Sequence, residues 1–419
     1  MAQKIHSDRR HHESSKGPLR VLYISHSHPP ENAPLDNMGG MQRVSVQLSE
    51  SLAQDSSIQL RCLVQKTAWK GIEIKTIGFL LKLLFLLPRV EREWKPDVIL
   101  FSSMVTASMA RWLRKRVDVP MVTINHGQDV TMPYGWYQRH VRKIFEAIDG
   151  VISVSSATRE ASIERGMLAS KGVALPNGIH VHDFLPKGES EWSVHSVKQL
   201  LEIPEAQAKR RIKELKASAR AGLECQLGIS LGAEPLLLSV GRQVKRKGHA
   251  WFIEEVLPKL DYACNYILIG DGPENQRIQD ILKQKASLFR EKGIRVHVLG
   301  RQEDDVVHKA YAASDLFLMP NIKVPGDMEG FGIVLLEANI HFTPVLCADL
   351  EGMRDVVEQG INGYKVPSKH IDGYVKYIDK VVRAKQPEQL AYQSFATVWE
   401  KFTWNRVTKQ YIQYLYQVS

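Results

Sequence analysis

The apolar stretch Phe317-Leu-Met-Pro320 is followed by Asp327-Met-Glu-Gly-Phe-Gly-Ile-Val-Leu-Leu-Glu337, and the run from Ile333 to Ile340 is almost wholly apolar. The first stretch reads as a short buried strand and the last as a helix. Glu329 therefore falls in a loop at the carboxyl end of a strand. Gly330, Phe331 and Gly332 open the helix, whose free N–H groups can hold an anion such as a diphosphate. Glu337 is placed about two turns into that helix, where it reaches a second part of the same ligand.

The same strand–loop–helix alternation extends in both directions. Leu19–Ser25, Asp97–Phe101, Met121–Asn125 and Gly150–Val154 read as strands, and an amphipathic helix is expected over Met41–Ala53. The pattern restarts at Glu234–Val240, with a helix over His249–Leu260. Strands then follow at Asn265–Ile269, Ile294–Val298, Asp315–Met319 and Thr343–Cys347. Alternation of this kind predicts an α/β chain of two doubly wound, Rossmann-like domains, which its 419 residues can accommodate. The expected divisions are a disordered tail over 1–17, an N-terminal domain over 18–180 and a C-terminal domain over 181–395. Within the last, 187–222 is polar and helix-prone and reads as a connection with surface helices. A terminal helix is expected over 396–419, with Thr403 as N-cap.

Other loops fall at the carboxyl ends of these strands. Gly241-Arg-Gln-Val-Lys-Arg-Lys-Gly248 follows an apolar strand directly, so Arg242 and Lys247 are candidate ligands of a diphosphate leaving group. Met38-Gly39-Gly40-Met41 begins a helix after the first strand, and paired glycines let backbone N–H groups approach a phosphate or sugar; a plain turn fits equally well. His126-Gly127-Gln128-Asp129 follows the strand ending at Asn125, which makes His126 a candidate catalytic residue with Asp129 to orient it. Gly270-Asp-Gly-Pro-Glu-Asn275 is a partial dinucleotide fingerprint without its third small residue. Pro176-Asn-Gly-Ile-His180 reads as a tight turn.

Composition narrows the function. Four cysteines, Cys62, Cys225, Cys264 and Cys347, are widely spaced, which argues against a zinc site or a disulfide framework and fits a reducing cytoplasm. No Asp-x-Asp occurs, nor a sequence-evident His/Cys cluster, so no metal is expected at the reaction centre. Walker A, H-E-x-x-H and G-x-S-x-G motifs are also missing. The net charge of +10 suits phosphorylated substrates or an anionic membrane surface, and no nucleic-acid-binding signature accompanies it. Ile77-Gly-Phe-Leu-Leu-Lys-Leu-Leu-Phe-Leu-Leu87 is too short to span a bilayer, which needs about 20 residues. It fits a core helix of the N-terminal domain, and it fits an interfacial helix aided by Lys82, Arg89 and Arg92.

The Glu329–Glu337 pair, seven residues between them, and the Gly241–Gly248 loop before it resemble the signature of retaining GT-B glycosyltransferases of family 4, the nucleotide-sugar-dependent, glycogen-synthase-like group. The resemblance runs from about Leu19 to the C-terminus and is tightest in the C-terminal half. It implies two domains facing across a cleft, with the last helix crossing back onto the N-terminal one. The C-terminal domain would hold a UDP- or GDP-linked sugar, which is a substrate, so that no cofactor is needed. Arg242, Lys247 and the helix start at Gly330-Phe331-Gly332 would hold the diphosphate, Glu329 the sugar hydroxyls and Glu337 the ribose. Gly39-Gly40 would contact the donor, and His126 would face its sugar. The family usually has Asp where this chain has His180, so no role is carried over to it. The acceptor expected is a glycan, lipid-linked or glycolipid molecule at the cytoplasmic membrane face. A nucleotide-sugar 2-epimerase and a non-catalytic nucleotide-sugar-binding partner are the alternatives.

Overall fold

The computed structural model describes residues 17–30, 39–67, 71–185 and 192–419. The expected tail over 1–17 therefore lies outside the described residues except for Gly17, as does Met38. The N-terminal sheet is formed by β1 (Leu19–His28), β2 (Ile58–Lys66), β3 (Val98–Phe101), β4 (Met121–Asn125), β5 (Gly150–Ser153) and β6 (Gly172–Ala174). The C-terminal sheet is formed by β7 (Leu236–Val240), β8 (Cys264–Ile269), β9 (Ile294–Gly300), β10 (Leu316–Met319), β11 (Val345–Ala348) and β12 (Gly363–Val366). The strand orders are β2-β1-β3-β4-β5-β6 and β12-β11-β10-β7-β8-β9. All pairings are parallel. Helices cover both faces, so β3, β4, β5, β8, β10 and β11 are buried along their whole length and are predominantly apolar, with Thr123, Asn125, Ser153 and Asn265 as the polar exceptions.

Strand order positions the site. In doubly wound sheets ligands bind outside the carboxyl ends of strands, where the order reverses. The C-terminal sheet reverses between β7 and β10, whose following loops carry Arg242–Lys247 and Glu329. The N-terminal sheet reverses between β1 and β3, whose following segments lead to Gly39-Gly40 and Ser102.

The helices that matter here are α1 (Gly40–Gln54), α2 (Ile72–Trp94), α3 (Glu205–Leu227), α4 (Asp304–Ala313), α5 (Ile333–Ile340), α6 (Pro387–Lys401) and α7 (Trp404–Val418). Helix α7 returns to the N-terminal domain. The Trp404 indole donates to Gln47 Oε1 at 2.8 Å, and the Tyr414 and Tyr416 hydroxyls donate to the carbonyls of Lys171 and Ser57. The chain crosses between domains where Ile179 bridges Thr403.

Several expectations change. Residues 187–222 were expected to be a surface connection, but α3 buries Ala208, Ile212, Leu215, Ala219 and Leu223 against the C-terminal domain. Its Lys216 ammonium is buried and donates to the carbonyls of Ala312 and Ser314 and to Thr343 Oγ1; burial pulls its pKa down to about 8. The helix expected over His249–Leu260 is present as one continuous helical run from His249 to Lys259, wound as a π-helix over Phe252–Val256 and closing in a 3₁₀ turn over Leu257–Lys259. The division at 396 falls inside α6, and the crossing helix begins at Trp404. Thr403 is the N-cap residue of α7 but makes no capping hydrogen bond. Glu337 is the fifth residue of α5, just over one turn in rather than two.

Helix α2 takes the Ile77–Leu87 run partly into the core and leaves part of it exposed. Phe79, Leu83, Leu87 and Val90 are core, while Ile74, Ile77, Leu81 and Phe85 are 79%, 60%, 54% and 74% exposed. The exposed four recur at helical spacing and form one outward stripe. No helix among the described residues is long and apolar enough to cross a membrane.

Candidate active site

Glu329 leaves β10 into a knot of charge. Lys247 Nζ donates to Glu329 Oε2 at 2.7 Å, Asn321 Nδ2 to the same oxygen at 3.1 Å, and Arg246 reaches it as well. Arg246 Nε also donates to Asp327 Oδ1 at 3.0 Å. Glu329 is mostly buried. Burial alone would raise its pKa, but Lys247 and Arg246 outweigh that and take it down to about 2. Burial also lowers the Lys247 pKa; Glu329 opposes this, and the crowding of Arg246 and Arg242 adds to it. Arg242 is exposed at the edge of the loop and forms no ion pair among the described residues. The loop thus holds four cations, Arg242, Lys245, Arg246 and Lys247, against two carboxylates, and among the described residues Arg242 and Lys245 pair with neither. The backbone N–H of Glu329 donates to Glu351 Oε2 at 2.6 Å, which fixes the loop.

The N-terminal domain meets this loop directly. Gly127 and Glu329 form an antiparallel bridge between domains. A Cβ on Gly330 would lie 1.8 Å from the His126 carbonyl oxygen, and one on Gly127 would lie 2.7 Å from Gly330 Cα. Gly127 also has φ +96°, so two glycines are required where the backbones touch. The His126 ring donates from Nε2 to the Ser102 carbonyl at 2.8 Å, which fixes its orientation and leaves Nδ1 out of that bond. Asp129 holds the backbone of this loop rather than the ring. Its Oδ1 accepts from the His126 N–H at 2.8 Å and its Oδ2 from the Met104 N–H at 3.2 Å. His26, at the end of β1, lies beside His126. Burial, with His126 and His28 adding, lowers its pKa to about 4 and keeps it neutral.

A second set of contacts runs along α5. A Cβ on Gly40 would be 3.6 Å from Ile333 Cγ2, so the Gly39-Gly40 start of α1 faces the start of α5. Gly332 caps α5 with φ +89°, and Phe331 is buried with its ring edge-on to Phe402. Glu337 Oε1 takes Arg43 of α1 at 3.4 Å, and its Oε2 takes the Tyr311 hydroxyl at 3.0 Å. Burial raises the Glu337 pKa against both partners. The Arg43 guanidinium lies 4.8 Å over the Phe184 ring.

Gly39, Gly40, His126, Lys247, Glu329, Gly330, Phe331, Gly332 and Glu337 thus gather along one line between the domains, with Arg242 at its rim. Arg246, Asn321, Glu351, Arg43, Tyr311 and His26 join them without having been singled out from sequence. Arg246 was legible as part of the basic loop; the others come from elements whose proximity depends on the fold. The expectation that no histidine cluster could hold a metal needs one correction. His180, His182 and Asp183 group together at the hinge, away from Glu329. A groove of about 560 Å³ also lies at the hinge, lined by Pro176, Asp355 and Phe402 among others, rather than beside Glu329. Beside Glu329 the two loops touch and the charged side chains close on one another.

Comparison with known proteins agrees with this arrangement. Residues 38–183 match the family described as Glycosyltransferase Family 4, and residues 230–396 match Glycosyl transferases group 1. The sulfoquinovosyl transferase SQD2 of Arabidopsis thaliana is 24% identical over 345 residues, 78% of this chain and 58% of that protein. The phosphatidyl-myo-inositol mannosyltransferase of Mycobacterium leprae is 26% identical over 276 residues, 65% of this chain and 60% of that one. The chain thus spans somewhat over half the length of these relatives. The crystal structure of Anabaena Alr3699/HepE in complex with UDP superposes with a TM-score of 0.66 at 17% identity, covering 95% of this chain and 100% of that one. The two matches divide between the two sheets, and the superposition extends over nearly the whole chain: the protein has the two-domain GT-B fold, with an N-terminal half similar to Glycosyltransferase Family 4 and a C-terminal half similar to Glycosyl transferases group 1.

Proposed function

We propose that this protein transfers a sugar from a UDP- or GDP-linked donor to a glycan, lipid-linked or glycolipid acceptor, with retention of anomeric configuration and without a metal at the reaction centre. The observation that carries the reading is the meeting of Lys247, Arg246 and Glu329 at the mouth of β10, pressed against the His126-Gly127 loop of the other domain. Arg242, Lys247 and the start of α5 take the leaving diphosphate, whose charge they offset as the bond breaks. Glu329 receives the sugar hydroxyls. Glu337 receives the ribose hydroxyls in exchange for Arg43. His126, tethered through Nε2, presents its other ring nitrogen to the donor sugar. Fixed cations and a helix start stand where other transferases use a divalent ion.

The name of one relative, a phosphatidyl-myo-inositol mannosyltransferase, favours a lipid acceptor. The outward stripe of α2 supports the same reading. Its exposed Ile74, Ile77, Leu81 and Phe85 have Lys75, Lys82, Arg89 and Arg92 beside them, the composition of a helix lying on an anionic membrane surface. The cytoplasmic face is proposed as the place of action.

A thermal-shift screen of UDP-, GDP- and ADP-sugars tests the donor, since a ligand bound only by the native state raises its stability. The expected result is a shift with one base class, followed by acceptor-dependent release of nucleoside diphosphate that persists in EDTA. Sugar interconversion without acceptor would replace the reading by the epimerase. Activity lost on chelation and restored by Mg²⁺ would remove the metal-free part.

A further inference from the structure

At the hinge, four side chains converge that the transfer chemistry does not use. The donor atoms of His180, His182 and Asp183 all lie within 4.8 Å of one another. His182 Nε2 is 2.9 Å from Asp183 Oδ1. His180 Nδ1 is buried and makes no hydrogen bond. It stands 4.0 Å from Asp183 Oδ2 and 3.9 Å from Glu50 Oε2 of α1, too far to share a proton with either. Donors bonded to one tetrahedral ion at about 2.0–2.2 Å stand about 3.3–3.5 Å apart, so a small inward movement of these groups would match.

The surroundings fit a bound cation. Two imidazoles and two carboxyl groups make a mixed nitrogen and oxygen set, which suits zinc-class ions rather than Mg²⁺. The groups behind the ligands are also fixed. His180 Nε2 meets Ser51 Oγ at 3.2 Å, and the Gln47 amide donates to Asp183 while accepting from the Trp404 indole. His182 is 65% exposed, so an ion could enter from solvent and the ring could turn to meet it.

We propose that His180, His182, Asp183 and Glu50 form a site for one divalent transition-metal ion of the zinc class. Such an ion ties α1 to the segment that bridges Thr403, and so to the crossing on which the interdomain angle depends. This inference does not rest on the proposed transfer activity.

The test uses the full chain, freed of metal and titrated with Zn²⁺ by calorimetry and with Co²⁺ by visible absorption. His6, His11, His12 and the exposed Cys62 and Cys225 can also take metal, so the readout is the difference from variants. His182→Ala and Asp183→Asn change exposed ligands and leave the fold intact, which circular dichroism checks. Each is expected to remove one equivalent, or to weaken it by about 10-fold or more, and to abolish a Zn²⁺-dependent rise in Tm seen in the wild type. Unchanged stoichiometry and affinity in both variants, or a wild type that binds no metal at micromolar concentration, would overturn the proposal.

Discussion

Two cations share one carboxylate oxygen at Glu329, and the fate of that trio separates roles that the sequence runs together. Arg246 is buried between Asp327 and Glu329, so Arg246→Ala takes one of two cations from the Glu329 carboxylate, which keeps Lys247 and Asn321. A fall in Tm is expected, smaller than the about 3–5 kcal/mol of a buried charge left with no partner. Arg242 is exposed and pairs with no carboxylate, so Arg242→Ala should leave Tm nearly unchanged while turnover falls by about 10²-fold or more, the scale of one preorganised donor. Wild-type turnover in Arg242→Ala would end the diphosphate assignment for that residue. The Glu329 carboxylate makes a separate prediction about pH. Its folded pKa of about 2 lies below the ordinary value of about 4.3. Its contribution to stability is therefore complete above about pH 4.3 and lost as pH falls through about 2. The gap in urea midpoint between wild type and Glu329→Gln should be widest near neutrality and close over that window. A gap that stays constant from pH 7 to pH 2.5 would mean that the carboxylate charge contributes nothing.

The elements that were legible in sequence are those whose pattern is local. β10, the glycine turn and α5 could be read because a short apolar run, two glycines and a second apolar run each need only their neighbours. β2 escaped because it is an edge strand with one buried end and a mostly exposed, polar length, Ile58-Gln-Leu-Arg-Cys-Leu-Val-Gln-Lys66. β6 and β12, of three and four residues, are too short to show a period. α3 was mistaken for a surface connection because its charged face dominates the composition while five small or branched residues make the buried stripe. The contact of Arg43 with Glu337, across 294 positions, depends on the fold rather than on any pattern. α2 shows the limit of composition most clearly, since one apolar run serves two faces. Replacing Leu83 or Leu87 by Ser would put hydroxyls into the core and unfold the domain, which rules them out as probes of membrane binding. The informative variant changes Ile77, Leu81 and Phe85 to Ser. It should keep the wild-type Tm and lose co-sedimentation with anionic liposomes. Wild-type binding should weaken with salt, because attraction between basic side chains and acidic lipid is screened over about 8–10 Å. Equal sedimentation of the variant and wild type would show that the stripe does not face lipid.

At the scale of the molecule, the contacts that join two Rossmann-like domains include the crossing at Ile179 and Thr403, the Arg43–Glu337 pair, and the backbone bridge of Gly127 with Glu329. The last lies where the chemistry is proposed. On the proposed reading, a donor bound along β7, β10 and α5 would need these loops to part on entry, and the return of His126 would exclude water from the sugar. Gly330→Ala tests whether that return matters. Its Cβ would lie 1.8 Å from the His126 carbonyl oxygen and cannot be accommodated with the loops in contact. Gly330 does not have a positive φ, so the substitution leaves the C-terminal loop unstrained and acts as a wedge between domains. Nucleoside diphosphate affinity, which depends on Arg242, Lys247 and Glu337, should stay within a few-fold of wild type. Turnover should fall by about 10²-fold, the scale for misplacing a reacting group by about 1 Å. Small-angle scattering should report a larger radius of gyration for the variant with nucleotide bound than for the wild type. Equal turnover in Gly330→Ala and the wild type would mean that contact between the loops is incidental, and that the C-terminal domain alone governs the rate.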